Sequence, residues 1–374
     1  MRPRDYFPLG VAVDLAFCNR EEETRLLIEN IKNGKHTLLM ATRRYGKSSL
    51  ALHTLRLSGL PYVEIDFYMA RSEKVIEGYI LHGVIEAIGK ALGPAEKLIA
   101  SVKKYVKNLK PKLDLSLPAL QLELTTDVSS DPATNIKEAL LLLEHLLAEK
   151  GKQVVLLMDE FQNVGAIAKG FGIEAAIRHA AQKTKYLTLI FSGSNRKLLK
   201  AMFEDENRPL YKLCWKIMLK RIQAQHYQKH IQKVSKLVWK KTLPDEVLET
   251  IITLTERHPY YLNKLCDRLL AYYEKSPPSV TEVLKSWGAI LTEDQSDAIK
   301  EISQLSIGQK KVLLQIAKGG THVSSKEQMF AMQMTSGSIF TAITGLEEKD
   351  ILEKEGQYKI INPIVKHYVL KNDM

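Results

Sequence analysis

Two short runs of this chain carry side chains suited to phosphate chemistry. The first is Ala41-Thr42-Arg43-Arg44-Tyr45-Gly46-Lys47-Ser48-Ser49. Its Gly-Lys-Ser core has the spacing of a Walker A loop, in which backbone N–H groups and a helix N terminus cradle phosphate oxygens. In that arrangement Lys47 reaches the β- and γ-phosphates and the Ser48 hydroxyl binds Mg²⁺, with Arg44, Tyr45, Gly46 and Ser49 completing the cradle. Ala41 stands where the pattern usually has its first glycine, so the first turn of the loop must accept a Cβ. The second run is Asp159-Glu160. Asp159 is placed as the Walker B acid that holds Mg²⁺, directly or through water. Glu160 is placed to polarise an attacking water, as general base or orienting acceptor. A third group, Ser194, Asn195 and Arg196, offers sensors for the γ-phosphate. The competing role there is an N-cap for a helix that begins near Arg196.

The elements that must position these side chains are also legible. His36-Thr37-Leu38-Leu39-Met40 predicts a buried strand before the loop, and Leu50-Ala51-Leu52-His53-Thr54-Leu55 the first turns of a helix after it. Val154-Val155-Leu156-Leu157-Met158 is apolar throughout, as in a strand of a parallel sheet covered on both faces. Its C-terminal end carries the two carboxylates, which is where open α/β sheets bind ligands. Residues 186–191 predict a third strand, residues 62–67 a fourth, and helices are expected near 21–32, 73–92, 132–150 and 172–183.

With these motifs in order, the chain resembles the archaeal-type ATPases of the STAND class within the AAA+ group. Phe17-Cys18-Asn19-Arg20-Glu21-Glu22-Glu23 is similar to that family's Phe-x-x-Arg-x-x-Glu lead-in, and Arg43-Arg44-Tyr45-Gly46-Lys47-Ser48-Ser49-Leu50 to its Walker A form. Asp159-Glu160-Phe161-Gln162 and Phe191-Ser192-Gly193-Ser194 resemble its Walker B and sensor strands. His258-Pro259-Tyr260-Tyr261-Leu262 resembles its helical-lid motif, in which a proline (here Pro259) faces the nucleotide. The chain departs at Ala41, and at Arg257-His258 where many relatives have glycine. The resemblance implies an α/β P-loop NTPase core with helices on both faces of a parallel sheet, then an α-helical lid and a winged helix, similar to origin-recognition ATPases. On that basis residues 1–200 form the core, with an insertion near 93–131, residues 201–298 the lid and 299–374 the winged helix. It further implies an ATP-dependent switch using ATP and Mg²⁺, slow unless a partner or neighbouring subunit completes the site.

Composition agrees with such a protein. The chain has 374 residues, 45% of them hydrophobic and 26% charged, enough for two or three domains. No apolar run approaches the roughly 18 residues of a membrane span, so no membrane contact is expected, and the N terminus lacks the apolar stretch of a secretory signal. Cys18, Cys214 and Cys266 have no metal-ligand spacing, and a reduced cytoplasmic protein without zinc is the expectation. A GTPase is disfavoured because Asn263-Lys264-Leu265-Cys266 lacks the aspartate of the guanine signature. A small-molecule phosphotransferase is disfavoured for want of an evident acceptor pocket.

Three further segments bear on partners. Between Arg208 and Lys241 there are ten Lys or Arg residues and no Asp or Glu, with Tyr211, Trp215, Tyr227 and Trp239 among them. Either this stretch contacts the phosphates of duplex DNA, or it is a solvated helical face with aromatics in the core. Residues 95–112 predict a Lys-rich helix ended by Pro111, followed by a hairpin of 113–117 and 120–124 about Pro118-Ala119. That insertion either meets a partner or packs on its own domain. Beyond residue 300, helices at 306–317, 325–332 and 337–349 and a hairpin of 351–354 with 357–360 give the winged-helix pattern. Its third helix presents Ser336, Ser338, Thr341 and Thr344, few of the cations that dominate DNA contacts. DNA and a protein partner, a second copy of the chain included, both stand as readings. On the helix at 172–183, Arg178 and Lys183 are exposed candidates, but nothing in the sequence identifies an arginine finger for a neighbouring subunit.

Overall fold

The structure is a computed structural model that describes residues 3–93, 109–114, 121–126, 131–320, 323 and 325–372. The chain divides into two compact units, Arg20–Lys220 and a second made of Met1–Asn19 with Arg221–Met374.

In the first unit, helix α1 (Glu21–Lys32) leads to strand β1 (Thr37–Ala41), the loop and helix α2 (Lys47–Ser58). Strand β2 (Tyr62–Asp66), helix α3 (Glu73–Leu92), strands β3 (Leu109–Asp114) and β4 (Gln121–Thr126) and helix α4 (Pro132–Lys150) follow. Strand β5 (Val154–Asp159), helices α5 (Gln162–Ile167) and α6 (Gly172–Ala181), strand β6 (Leu187–Gly193), helix α7 (Arg196–Glu204) and strand β7 (Trp215–Leu219) complete it. Five strands form one sheet in the order β2-β5-β6-β1-β7, and every pairing is parallel. β1, β5 and β6 are buried along their whole length. Their apolar residues can be continuous because both faces are covered. Leu38, Met40, Val63, Ile65, Leu156, Met158, Leu189 and Phe191 share one core with α3, α4 and α6, while α1 and α2 pack against each other and α2 against β1 and β6.

Capping explains several boundaries. Ser72 accepts a hydrogen bond from the Val75 N–H at the start of α3, and Asp131 from the Thr134 N–H ahead of Pro132 in α4. β3 and β4 pair antiparallel, Leu113 opposite Leu122. This corrects one expectation: Leu109 to Lys112 are strand, where a helix up to Pro111 was predicted. Proline lacks only the N–H, and in a two-stranded ribbon one side of each strand needs no donor. Residues 95–108 and the turn at Pro118-Ala119 lie outside the described residues.

The second unit is helical. It contains α8 (Ala224–Val238), α9 (Asp245–Thr255), α10 (Pro259–Tyr272) and α11 (Val280–Ser303). Then come α12 (Ile307–Ala317), α13 (Lys326–Met332), α14 (Ser336–Glu348), the antiparallel pair β8 (Leu352–Glu355) and β9 (Gln357–Ile360), and α15 (Pro363–Asn372). Ser279 and Ser306 form capping boxes with Glu282 and Gln309. One core runs through the unit and takes in Tyr6 and Phe7 of the N-terminal arm. Among the described residues no helix is long and apolar enough to cross a membrane.

Candidate nucleotide site

The loop between β1 and α2 takes its shape from two left-handed residues, Arg44 at φ 66° and Gly46 at φ 84°. Ala41 is not one of them. It is the last residue of β1, opposite Leu219 of β7, so a Cβ is accommodated there without strain. Tyr45 is buried beneath the loop, and its carbonyl accepts a hydrogen bond from Arg20 Nη2 at 3.2 Å. Arg20 is itself buried and paired with Glu23 at 2.9 Å, so the lead-in motif braces the loop directly. No side chain caps the N terminus of α2 and its first turn holds no acid, which leaves those N–H groups directed at the loop.

Lys47 opens α2 and points along the tip of the sheet. Its Nζ donates to Asp159 Oδ1, to Ser192 Oγ at 2.9 Å and to Glu160 Oε1 at 3.5 Å. Ser48 Oγ donates to the other oxygen of Asp159, Oδ2, at 3.1 Å. Ser192 Oγ also donates to Asp159 Oδ1, and so does the Glu160 N–H at 2.9 Å. Burial opposes ionisation of Asp159. The Lys47 charge beside it, with the hydrogen bonds from Lys47, Ser192 and the Glu160 N–H, outweighs burial and holds the carboxyl below its ordinary value.

Glu160 is in the left-handed region, at φ 50°. Its Oε2 accepts from Gln162 Nε2 and from Ser194 Oγ at 3.0 Å. The next residue anchors it: the Phe161 N–H donates to the Ser192 carbonyl at 2.9 Å, and its ring meets Phe191 edge-on at 4.7 Å. Gly193 leaves room for the Gln162 amide, since a Cβ there would meet Gln162 Oε1 and that side chain would have to shift. The result is a hydrogen-bonded cluster of one cation, two carboxylates and three hydroxyls at the C-terminal edge of the sheet.

No protein-family model and no curated protein matches this sequence. Solved structures do match it. The Walker-type ATPase PABY2304 of Pyrococcus abyssi aligns with a TM-score of 0.66 over 97% of this chain and 99% of its own, at 19% identity. The ORC2 protein of Aeropyrum pernix, in ADPNP–ADP complexes, aligns with a TM-score of 0.59 over 99% of this chain and 96% of its own, at 11% identity. This chain has the fold of the archaeal ORC-like AAA+ ATPases.

Within that ATPase fold, the residues read from the sequence divide into three groups. Lys47, Ser48, Asp159, Glu160 and Ser194 are linked through the hydrogen bonds above, and Arg44, Tyr45, Gly46 and Ser49 belong to the same loop and first helical turn. Asn195 caps α7, its Oδ1 accepting from the Leu198 N–H at 3.0 Å, and Arg196 is the first residue of that helix. Pro259 opens α10 in the second unit. Arg178 is half-buried and donates through Nη1 to the carbonyls of Pro209 and of Tyr211, the latter at 2.8 Å. Three contributors were not singled out from sequence: Ser192, Gln162 and the contact of Arg20 with the loop. Ser192 and Gln162 stand inside the runs that resemble the sensor and Walker B strands, and that membership was the available signal.

Proposed function

We propose that this chain is an ATP-binding, ATP-hydrolysing switch, the activity centred on Lys47, Asp159 and Glu160. The carrying observation is the convergence of Lys47 Nζ, Ser48 Oγ and Ser192 Oγ on one ionised, buried Asp159, with the Glu160 carboxylate beside them. Lys47 supplies a positive charge that can follow phosphate oxygens placed in the loop. Ser48 Oγ and Asp159 Oδ2 form a pair of hard oxygen donors that suits Mg²⁺. The ion typically takes one or two protein oxygens plus substrate phosphates rather than an all-protein cage. When bound there, Mg²⁺ supplies charge neutralisation for the phosphates. Glu160 is fixed at Oε2 by Gln162 and Ser194, and its Oε1, which Lys47 Nζ reaches only at 3.5 Å, would orient and deprotonate water once Lys47 turns to phosphate.

We read the helical unit as lid and winged helix, with Pro259 at the head of α10 as the lid residue the family resemblance assigns to the nucleotide. Differential contact with ATP and ADP is what would bias two arrangements of such a switch. Association with duplex DNA is the leading partner reading, supported by a formal charge of +11. The basic stretch that suggested it is divided, since Arg208 is paired with Glu174, Lys216 with Glu204 at 2.8 Å and buried Arg221 with Glu353 at 2.7 Å. A signalling or defence-type ATPase that binds protein is the second reading. It is favoured by the C-terminal helices, where Phe330 is 88% and Phe340 71% exposed. A second copy supplying a cation to the site fits either reading.

ATP hydrolysis measured with and without duplex DNA, across a salt titration, separates the two. Stimulation that fades with salt supports the DNA-linked switch. Turnover indifferent to DNA at every salt concentration contradicts it and leaves the protein-binding switch.

A further inference from the structure

At the opposite end of the sheet from the loop lies a cleft of about 350 Å³. It is bounded by Gly34, Lys35 and His36 ahead of β1, by the Gln182 to Thr184 turn ahead of β6 and by Trp215 at the start of β7. All five strands run the same way, so this edge is separated from the nucleotide site by the length of β1, about 16 Å at ~3.3 Å per residue. We propose that this cleft binds a nucleotide unit of single-stranded nucleic acid, its base stacked on Trp215 and its phosphate held by Lys35, Lys212 and Arg178.

Charge is the first support. Among the described residues the lining contains Lys35, Lys212 and Arg178 and no Asp or Glu. Lys35 lies 4.6 Å over the Trp215 ring and Lys212 4.9 Å over Tyr211, contacts with π-faces rather than with acids. Arg178 is steadied through Nη1 alone, leaving its Nε and Nη2 edge for a ligand. The nearby Glu144 carboxylate is spent on the backbone N–H groups of Lys185, Tyr186 and Leu187. Neighbouring cations Arg208 and Lys216, by contrast, are paired with acids. Three cations lining one cleft, with Glu144 the nearby carboxylate, suit a phosphate.

The second support is Trp215, which is 60% exposed, whereas Trp239 and Trp287 are 9% and 4% exposed. A tryptophan at the rim of a basic cleft gains little from water and much from a planar ring, and base stacking is indifferent to sequence. An acidic peptide would use the cations and leave the ring idle. Bases inside a duplex cannot reach it. The floor is preorganised: His36 Nε2 meets the Ala181 carbonyl at 2.9 Å while Nδ1 accepts from the Leu189 N–H at 3.0 Å. Burial lowers the pKa of His36, which keeps it neutral in that role.

The test is intrinsic tryptophan fluorescence of the full chain titrated with an oligothymidylate of about 12 nucleotides. Saturable quenching is expected, since Trp215 alone of the three tryptophans is open to a base. Trp215→Phe should keep binding within a few-fold and lose the quenching, and Trp215→Ala should weaken binding roughly tenfold. Lys35→Ala with Lys212→Ala should flatten the salt dependence by about 0.7 per lost phosphate contact. Lys47→Ala should leave oligonucleotide binding intact. The proposal is overturned if Trp215→Ala binds as tightly as wild type, if polyglutamate displaces the oligonucleotide and gives the same quenching, if duplex DNA binds as tightly with the same dependence on Trp215, or if Lys47→Ala abolishes binding.

Discussion

Glu160 is held in a backbone conformation that non-glycine residues avoid, at φ 50°, and such a position costs about 1 kcal/mol or more. The surrounding contacts account for its persistence: its N–H bonds Asp159, its carboxylate is tied by Gln162 and Ser194, and Phe161 locks the next residue into the aromatic core. Gly193 is the keystone, because the Gln162 amide fills the space of its missing side chain. Gly193→Ala should therefore displace Gln162, free Glu160 and lower kcat by roughly a hundredfold. ATP affinity should change only a few-fold, since Lys47 and Ser48 are untouched. Single-turnover kinetics beside equilibrium ATP binding checks this, and equal losses in both would refute it. Most of the site was legible at this scale: Gly-Lys-Ser and Asp-Glu each carry their chemistry in adjacent letters. Ser192, Gln162 and the brace from Arg20 were not, because their roles depend on which side chains meet across strands. Asn195 shows the converse, since an Asn before a helix reads equally as sensor or cap, and its Oδ1 is committed to the cap.

Elements were read well where periodicity was strong. β5 announces itself as an apolar run and β1 and β6 as largely apolar ones, and the helices expected near 73–92 and 132–150 are found at Glu73–Leu92 and Pro132–Lys150. β7 was missed. Trp215-Lys216-Ile217-Met218-Leu219 is an edge strand of mixed exposure inside a lysine-rich stretch, so its charge hid its alternation. The N-terminal arm yields a prediction of its own. Phe7 packs edge-on against His230 of α8, with ring centroids 5.3 Å apart and planes at 89°. Burial pushes the His230 pKa down to about 4, aided by the Lys233 charge and opposed by a hydrogen bond to the Tyr6 backbone. An unfolded histidine titrates near 6.5. As pH falls below that value, the unfolded chain takes up a proton the folded chain refuses, so stability drops until about pH 4 and then levels. The loss should be at most about 3 kcal/mol. His230→Gln should remove it, as denaturant midpoints from pH 7 to pH 4.5 would show. Parallel pH dependences for both proteins would contradict the assignment.

At the scale of the whole molecule, each unit has its own hydrophobic core, one around the parallel sheet and one through the helical unit. The sheet gathers acids and Lys47 at its C-terminal edge and the cations Lys35, Lys212 and Arg178 with Trp215 at the other. A net charge of +11 cannot reveal that division, because it counts residues without placing them. The fold class was legible because the Walker A and Walker B motifs each end an apolar run that reads as a strand of a parallel sheet, whereas the strand order was not. The partner was not, since the same winged-helix pattern serves DNA and protein. What the account rests on is that Lys47 binds the nucleotide and Glu160 turns it over. The decisive measurement is equilibrium ATP binding with turnover on the same preparations of wild type, Lys47→Ala and Glu160→Gln. The account predicts no measurable ATP binding by Lys47→Ala, and wild-type binding with turnover lowered at least about a hundredfold in Glu160→Gln. ATP binding by Lys47→Ala as tight as wild type would contradict it.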